Sequence, residues 1–204
     1  MARVLVIANA VRSHFYCMVP LAWALRGAGH DVRVAVPPRL VPVVEAAGLV
    51  ALPVGTDLDL GALPRVGAAA KLGTHGEAAR RRMAETGARF VRYGDAMADD
   101  LLDHARRWRP HLVVHEPTAI AGPLVATALD VPSVCHRWGV DVGRAVVEAA
   151  EAELVACYDR VGVPYRGFDS DFVVDPCPPT LQLPGLPPAQ PVRFVAYGGG
   201  GKVP

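Results

Sequence analysis

The sequence predicts an α/β fold built on a doubly wound parallel sheet, and three observations carry that prediction. Short apolar runs of strand length recur along the chain. Most are followed by a stretch with apolar residues at i, i+3, i+4 and i+7, the period of an amphipathic helix. Glycine and proline punctuate the joins, where helices and strands stop.

The first strand is Val4-Leu5-Val6-Ile7-Ala8. After a turn over residues 9–15, an apolar helix is carried by Met18, Leu21, Ala22 and Leu25, with Pro20 in its first turn and Gly27 and Gly29 at its end. Asp31-Val32-Arg33-Val34-Ala35-Val36 alternates and forms the second strand, stopped by Pro37-Pro38. A short helix through Val43, Val44 and Ala47 ends at Gly48, and residues 49–54 form the third strand. This βαβαβ order implies parallel pairing with crossover connections. Residues 55–76 lose periodicity and are rich in Gly, Pro, Asp and Leu, which reads as a long functional loop.

A long helix resumes near Glu77, with Met97, Leu101, Ala105 and Trp108 on one stripe, and Pro110 stops it. The fourth strand is His111-Leu112-Val113-Val114-His115, followed by a helix through Ala121, Leu124, Val125 and Ala128. Residues 132–138 form a fifth strand. One further helix carries Val147, Ala150, Leu154 and Tyr158 on one face. Beyond Gly162 the chain is loop-like and proline-rich, with a last strand over 192–197 before Gly198-Gly199-Gly200-Gly201. The expected organisation is one Rossmann-like domain over residues 1–190, with the final strand and the start of a linker over 191–204.

Composition narrows the function. Of 204 residues, 51% are hydrophobic, enough for a real core, and the net charge of +1 argues against a nucleic-acid partner held by electrostatics. No stretch reads as a signal peptide or a membrane span, so a cytoplasmic location is expected. The four cysteines are scattered without metal-ligand spacing and read as reduced thiols. Cys17 and Cys135 fall near the expected site, as small packing residues.

Several motifs fail on their chemistry. The turn over residues 9–15 contains no glycine, so backbone amides cannot approach a pyrophosphate as in a dinucleotide fingerprint, and an oxidoreductase is disfavoured. The terminal glycines with Lys202 lack the first glycine of a phosphate loop, since Ala196 stands there, and Val203 replaces its Ser or Thr. His111 and His115 lie on one face of a strand about 13 Å apart, too far for one metal ion. No metal is expected. No G-x-S-x-G elbow occurs.

What remains is His14 and Glu116. A parallel sheet brings both to the edge outside the carboxyl ends of its strands, where ligands bind. An imidazole can take a proton from an incoming hydroxyl, and a carboxylate beside it fixes its tautomer and stabilises the imidazolium. Glu116 also reads as an acid favoured by a helix N-terminus. Asp141, at the same edge, reads either as a second site carboxylate or as a helix cap.

These residues stand in recognisable blocks. Ser13-His14-Phe15, with Val19-Pro20-Leu21-Ala22-Trp23-Ala24-Leu25-Arg26-Gly27-Ala28-Gly29-His30-Asp31-Val32 after it, resembles the N-terminus of bacterial antibiotic glycosyltransferases. So do Ala46-Ala47-Gly48-Leu49, His115-Glu116-Pro117-Thr118, Arg137-Trp138-Gly139-Val140-Asp141 and Val174-Asp175-Pro176-Cys177-Pro178-Pro179-Thr180, in family order. The resemblance implies one half of a GT-B architecture, the half that binds an acceptor. It implies that His14 is the general base and that Glu116 pairs with it. Ser13, Phe15, Thr118, Trp138 and Asp141 are the acceptor contacts expected from the matching blocks. Residues 55–76 and the helix after them correspond to the variable region that shapes the acceptor pocket, here shorter than in the macrolide enzymes.

The implied reaction is metal-independent and inverting. A sugar moves from a nucleotide-diphosphate sugar to a hydroxyl of a polyketide or similar aglycone. No cofactor is implied. The family's diphosphate-binding segment has no counterpart in these residues, so the donor is expected to be held by a C-terminal domain or a separate chain, and this chain alone to be a poor catalyst. Some members of the family need an activator protein, which makes one a candidate partner. The alternative from another class is a non-catalytic module that binds an aglycone or a partner chain.

Overall fold

The computed structural model describes residues 1–58 and 76–200. Among the described residues, strand β1 (Arg3–Ile7) is the third of seven parallel strands in one sheet. On one side it pairs with β2 (Asp31–Val36), which pairs with β3 (Val50–Pro53). On the other side follow β4 (Leu112–His115), β5 (Ser133–His136), β6 (Phe172–Asp175) and β7 (Gln190–Pro191). The spatial order β3-β2-β1-β4-β5-β6-β7 reverses direction between β1 and β4, the point at which open α/β sheets bind ligands.

Both faces of the sheet are buried, which is why its central strands are continuously apolar. Alternate residues of β1 enter separate cores. Val4 and Val6 pack with Phe15, Met18, Val19 and Ala22 of α1 (Arg12–Gly27) and Val44 of α2 (Val41–Ala46). Leu5 and Ile7 pack under α3 (Glu77–Trp108), α4 (Ala121–Leu129), α5 (Gly143–Glu148) and α6 (Glu151–Arg160). The stripe expected on α3 is present: Met97, Leu101 and Ala105 are buried, and Trp108 is half-buried with the Arg33 guanidinium 4.4 Å above its ring.

Several expectations are corrected. Helix α1 starts at Arg12, so His14 belongs to its first turn rather than to a loop, and Pro20 lies in the helix interior. An interior proline forfeits a hydrogen bond and costs about 3 kcal/mol, which burial of four side chains on that helix offsets. The single helix expected through Val147 and Tyr158 is two, broken at Ala149 and Ala150. All four stripe residues are nevertheless buried. The break falls where the chain packs closely on α3: a Cβ at Gly87 would lie 2.2 Å from the Val146 carbonyl oxygen and 2.7 Å from the Ala150 Cβ. The Ala150 N–H bonds to Val147 instead, and the chain turns.

At the far edge, β6 was missed because its four residues sit among aspartates and prolines. The last strand is Gln190–Pro191 rather than residues 192–197. Pro191 is tolerable because β7 is an edge strand. The following residues leave the sheet, and the Tyr197 ring meets Tyr16 and Trp23 of α1 edge-on at 5.2 and 5.1 Å. Most of the long loop and the end of the glycine run lie outside the described residues. Among the described residues, no helix is long and apolar enough to cross a membrane.

Candidate active site

The site is built where β1 and β4 end side by side. Asn9 follows β1, His14 lies in the first turn of α1, and Glu116 is the residue after β4. The His14 Nδ1 lies 3.3 Å from Glu116 Oε1, with Glu116 fully buried and the imidazole 16% exposed. Because the carboxylate only accepts, it holds the proton on Nδ1 and leaves Nε2 as the basic nitrogen. Nε2 has no protein partner among the described residues.

A buried carboxylate is costly unless its oxygens are satisfied, and here they are. Oε1 also accepts from Asn9 Nδ2 at 2.9 Å and lies 3.0 Å from the Thr118 hydroxyl. Oε2 accepts from the Thr118 N–H at 2.7 Å. Asn9 closes the cluster by donating to the Thr118 carbonyl at 2.9 Å. Two rings flank the imidazole: Trp138 at 4.2 Å between centroids and Phe90 of α3 at 5.9 Å.

The structure brings His14, Glu116 and Trp138 together and sorts the other expected residues. Ser13 is exposed in the first turn of α1, beside His14. Phe15 is fully buried in the core beneath α1 and cannot touch an acceptor, because in a helix the next residue points away from its neighbour's face. Thr118 is buried with its hydroxyl and N–H on Glu116, so it serves the carboxylate rather than a ligand. Asp141 is buried two residues before α5. Its Oδ1 accepts from the Gly143 N–H at 3.0 Å, and its Oδ2 takes Arg137 Nε at 3.0 Å.

His111, just before β4, and His115, its last residue, do not share a site. His111 accepts from the Arg3 N–H at the opposite edge. His115 is fully buried, donating from Nδ1 to the Glu116 carbonyl at 3.0 Å and accepting at Nε2 from Ser170 at 2.8 Å. Burial pushes its pKa down. The neighbouring thiols are poor nucleophiles: burial and then the Glu116 charge raise the Cys17 pKa, and burial pushes Cys135 up to about 12.

Asn9 and Phe90 were missed. Asn9 carried one weak signal, a polar residue directly after a buried strand. Phe90 carried none, because nothing in its helix distinguishes a ring over the site from one in the core.

A family described as erythromycin biosynthesis protein CIII-like, N-terminal domain, matches residues 23–204. The 10-deoxymethynolide desosaminyltransferase of Streptomyces venezuelae is 32% identical over 240 residues, covering 99% of this chain and 55% of that enzyme. The SsfS6 glycosyltransferase of a Streptomyces species, complexed with thymidine diphosphate, superposes with a TM-score of 0.83 at 30% identity, covering 100% of this chain and 56% of that one. The spinosyn rhamnosyltransferase SpnG, complexed with spinosyn aglycone, superposes at 0.79 with 30% identity and coverage of 100% and 52%. The chain thus spans about half the length of the relatives it matches. The fold is that of the N-terminal half of GT-B glycosyltransferases.

Proposed function

Because the chain belongs to the erythromycin biosynthesis protein CIII-like N-terminal domain family, we propose that it is the acceptor half of a two-part deoxysugar transferase and carries the general base. The observation that carries this reading is the His14–Glu116 pair, with Nδ1 held at 3.3 Å and Nε2 left unpartnered at the switch point of the sheet. A relative complexed with an aglycone and another with thymidine diphosphate support an aglycone acceptor and a nucleotide-sugar donor.

In this reading, Nε2 of His14 takes the proton of an aglycone hydroxyl as its oxygen forms a bond to the anomeric carbon of the sugar. The bond from that carbon to the diphosphate breaks on the opposite side, so configuration inverts. The imidazolium formed is stabilised by the buried Glu116 carboxylate. The reaction needs no metal, because the charge of the departing diphosphate is met by the donor half. That half corresponds to the part of the relatives which this chain does not span. An activator protein belongs to the same reading as a further partner.

Titration of the chain with polyketide aglycones and, separately, with nucleotide-diphosphate sugars tests this assignment through tryptophan fluorescence, since Trp138 stacks on His14. Saturable quenching or enhancement by an aglycone and none by the nucleotides is expected. Tight nucleotide binding would overturn the assignment of halves. Aglycone binding with no transfer after addition of a donor half would favour a non-catalytic module.

A further inference from the structure

Trp138 lies against one face of the proposed base, with ring centroids 4.2 Å apart, yet no hydrogen bond among the described residues holds its indole. Its Nε1 is buried without a partner among the described residues, so the ring's position depends on the backbone at either side of it. That backbone is fixed unusually firmly. On the N-terminal side, Arg137 is only 4% exposed and donates to Asp141 Oδ2 and Asp175 Oδ2, both at 3.0 Å, and to the Pro187 carbonyl at 3.2 Å. On the C-terminal side, the amide of Gln182 uses both its hydrogens and its oxygen. Nε2 donates to the Gly139 carbonyl at 3.0 Å and to Asp175 Oδ2 at 2.9 Å. Oε1 accepts from the Asp141 N–H at 2.9 Å and from the Leu183 N–H at 2.9 Å.

We propose that Gln182 is a positioning residue for the reaction: by gripping Gly139 and Asp141 from the segment after β6, it holds Trp138 against the imidazole of His14. The significance for catalysis rests on His14 being the base. The placement of Trp138 does not.

The grip has a physical reason to be specific. An amide alone can donate to Gly139 and Asp175 while accepting from Asp141 with one planar group. Removing it leaves the Gly139 carbonyl and the Asp141 N–H without those partners, and the Arg137–Asp141 ion pair is then the remaining one of these side-chain ties between the two sides of Trp138. Glu at this position has the same length but cannot donate, and it would set a second carboxylate beside Asp175. Gln182 is partly exposed, and its loss does not open a core cavity.

The test reads the folded state and needs no substrate. In the chain carrying ¹³C-labelled histidine, the imidazole C–H resonances of His14, identified by their loss in His14→Gln, should carry a ring-current shift from Trp138. Spectra are taken at a pH well above the ordinary imidazole range. Trp138→Leu defines the unshifted positions. Gln182→Ala is expected to move the His14 resonances most of the way to those positions, and Gln182→Glu to do the same. Leu181→Ala, an exposed neighbour in the same turn, should leave them in place. A general loss of stability does not change the shift of the folded molecule, so a merely structural role would not move it. His14 resonances at their wild-type positions in both Gln182 variants would overturn the proposal, as would an absence of any shift in Trp138→Leu. Failure of His14 in a transfer assay would instead remove the base assignment and leave the placement intact.

Discussion

Asn9 and His14 converge on one carboxylate oxygen, Oε1 of Glu116, at 2.9 and 3.3 Å. Asn9, together with Thr118, therefore fixes the rotation of the carboxylate that meets the imidazole. In the proposed reaction of an assembled transferase, Glu116→Gln removes the charge assigned to stabilising the imidazolium and is expected to lower kcat by about 10²-fold or more. Asn9→Ala removes one of several donors and should lower kcat by roughly tenfold, about the effect of one hydrogen bond to a charged group. Steady-state kinetics with acceptor varied checks the order. A larger loss for Asn9→Ala than for Glu116→Gln would contradict these roles.

Arg137 joins two carboxylates, Asp141 and Asp175, and all three side chains are buried. Removing the cation alone strands two buried charges, so Arg137→Met is expected to cost about 3–5 kcal/mol in urea unfolding. Adding Asp175→Asn to that variant should recover part of the loss. Simple additivity of the two substitutions would show that they do not share a network.

Much of this was legible in the sequence where local pattern and tertiary role coincide. Strands β1 and β4 announce themselves because a two-sided sheet requires apolar runs, β2 announces itself by alternation, and His14 and Glu116 stand out because topology brings strand ends together. What was illegible depends on contacts made across the fold. The break at Ala149 and Ala150 falls where this segment packs on the Gly87 backbone, far off in sequence. Residues 192–197 read as a last strand, yet Tyr197 packs on α1 instead. Phe15 and Thr118 lie beside the two central residues in sequence, but adjacency in sequence does not share a face or leave a donor free.

Stability should fall with acid for a specific reason. Burial lowers the pKa values of His115 and His136 below the ordinary imidazole value of 6.5. The unfolded chain therefore binds protons that the folded chain refuses, and stability present above about pH 6.5 is lost as pH falls below it. Each such histidine contributes a slope of about 1.4 kcal/mol per pH unit while only the unfolded form is protonated. Urea midpoints measured from neutral to mildly acidic pH check this. His115→Asn should flatten the profile, and an unchanged slope in that variant would contradict the assignment.

Two glycines of α3 offer a graded packing test. A Cβ at Gly87 would meet the backbone carbonyl of Val146 at 2.2 Å, whereas at Gly94 it would meet the terminal carbon of Ile120 at the same distance. A backbone cannot give way as a side-chain end can. Gly87→Ala is expected to cost about 1–3 kcal/mol even after the helix-propensity gain of about 1 kcal/mol. Gly94→Ala should cost less. Thermal unfolding of the two variants side by side decides it, and equal losses would count against the packing account.

The base assignment of His14 is tested most directly by single-turnover transfer with His14→Ala in an assembled enzyme, alongside aglycone binding by the same variant. The predicted result is transfer slowed by about 10²–10⁴-fold with aglycone affinity within a few-fold of wild type, the signature of a lost general base. Transfer within a few-fold of wild type would contradict it, and the proton of the acceptor hydroxyl would then have to leave by another group.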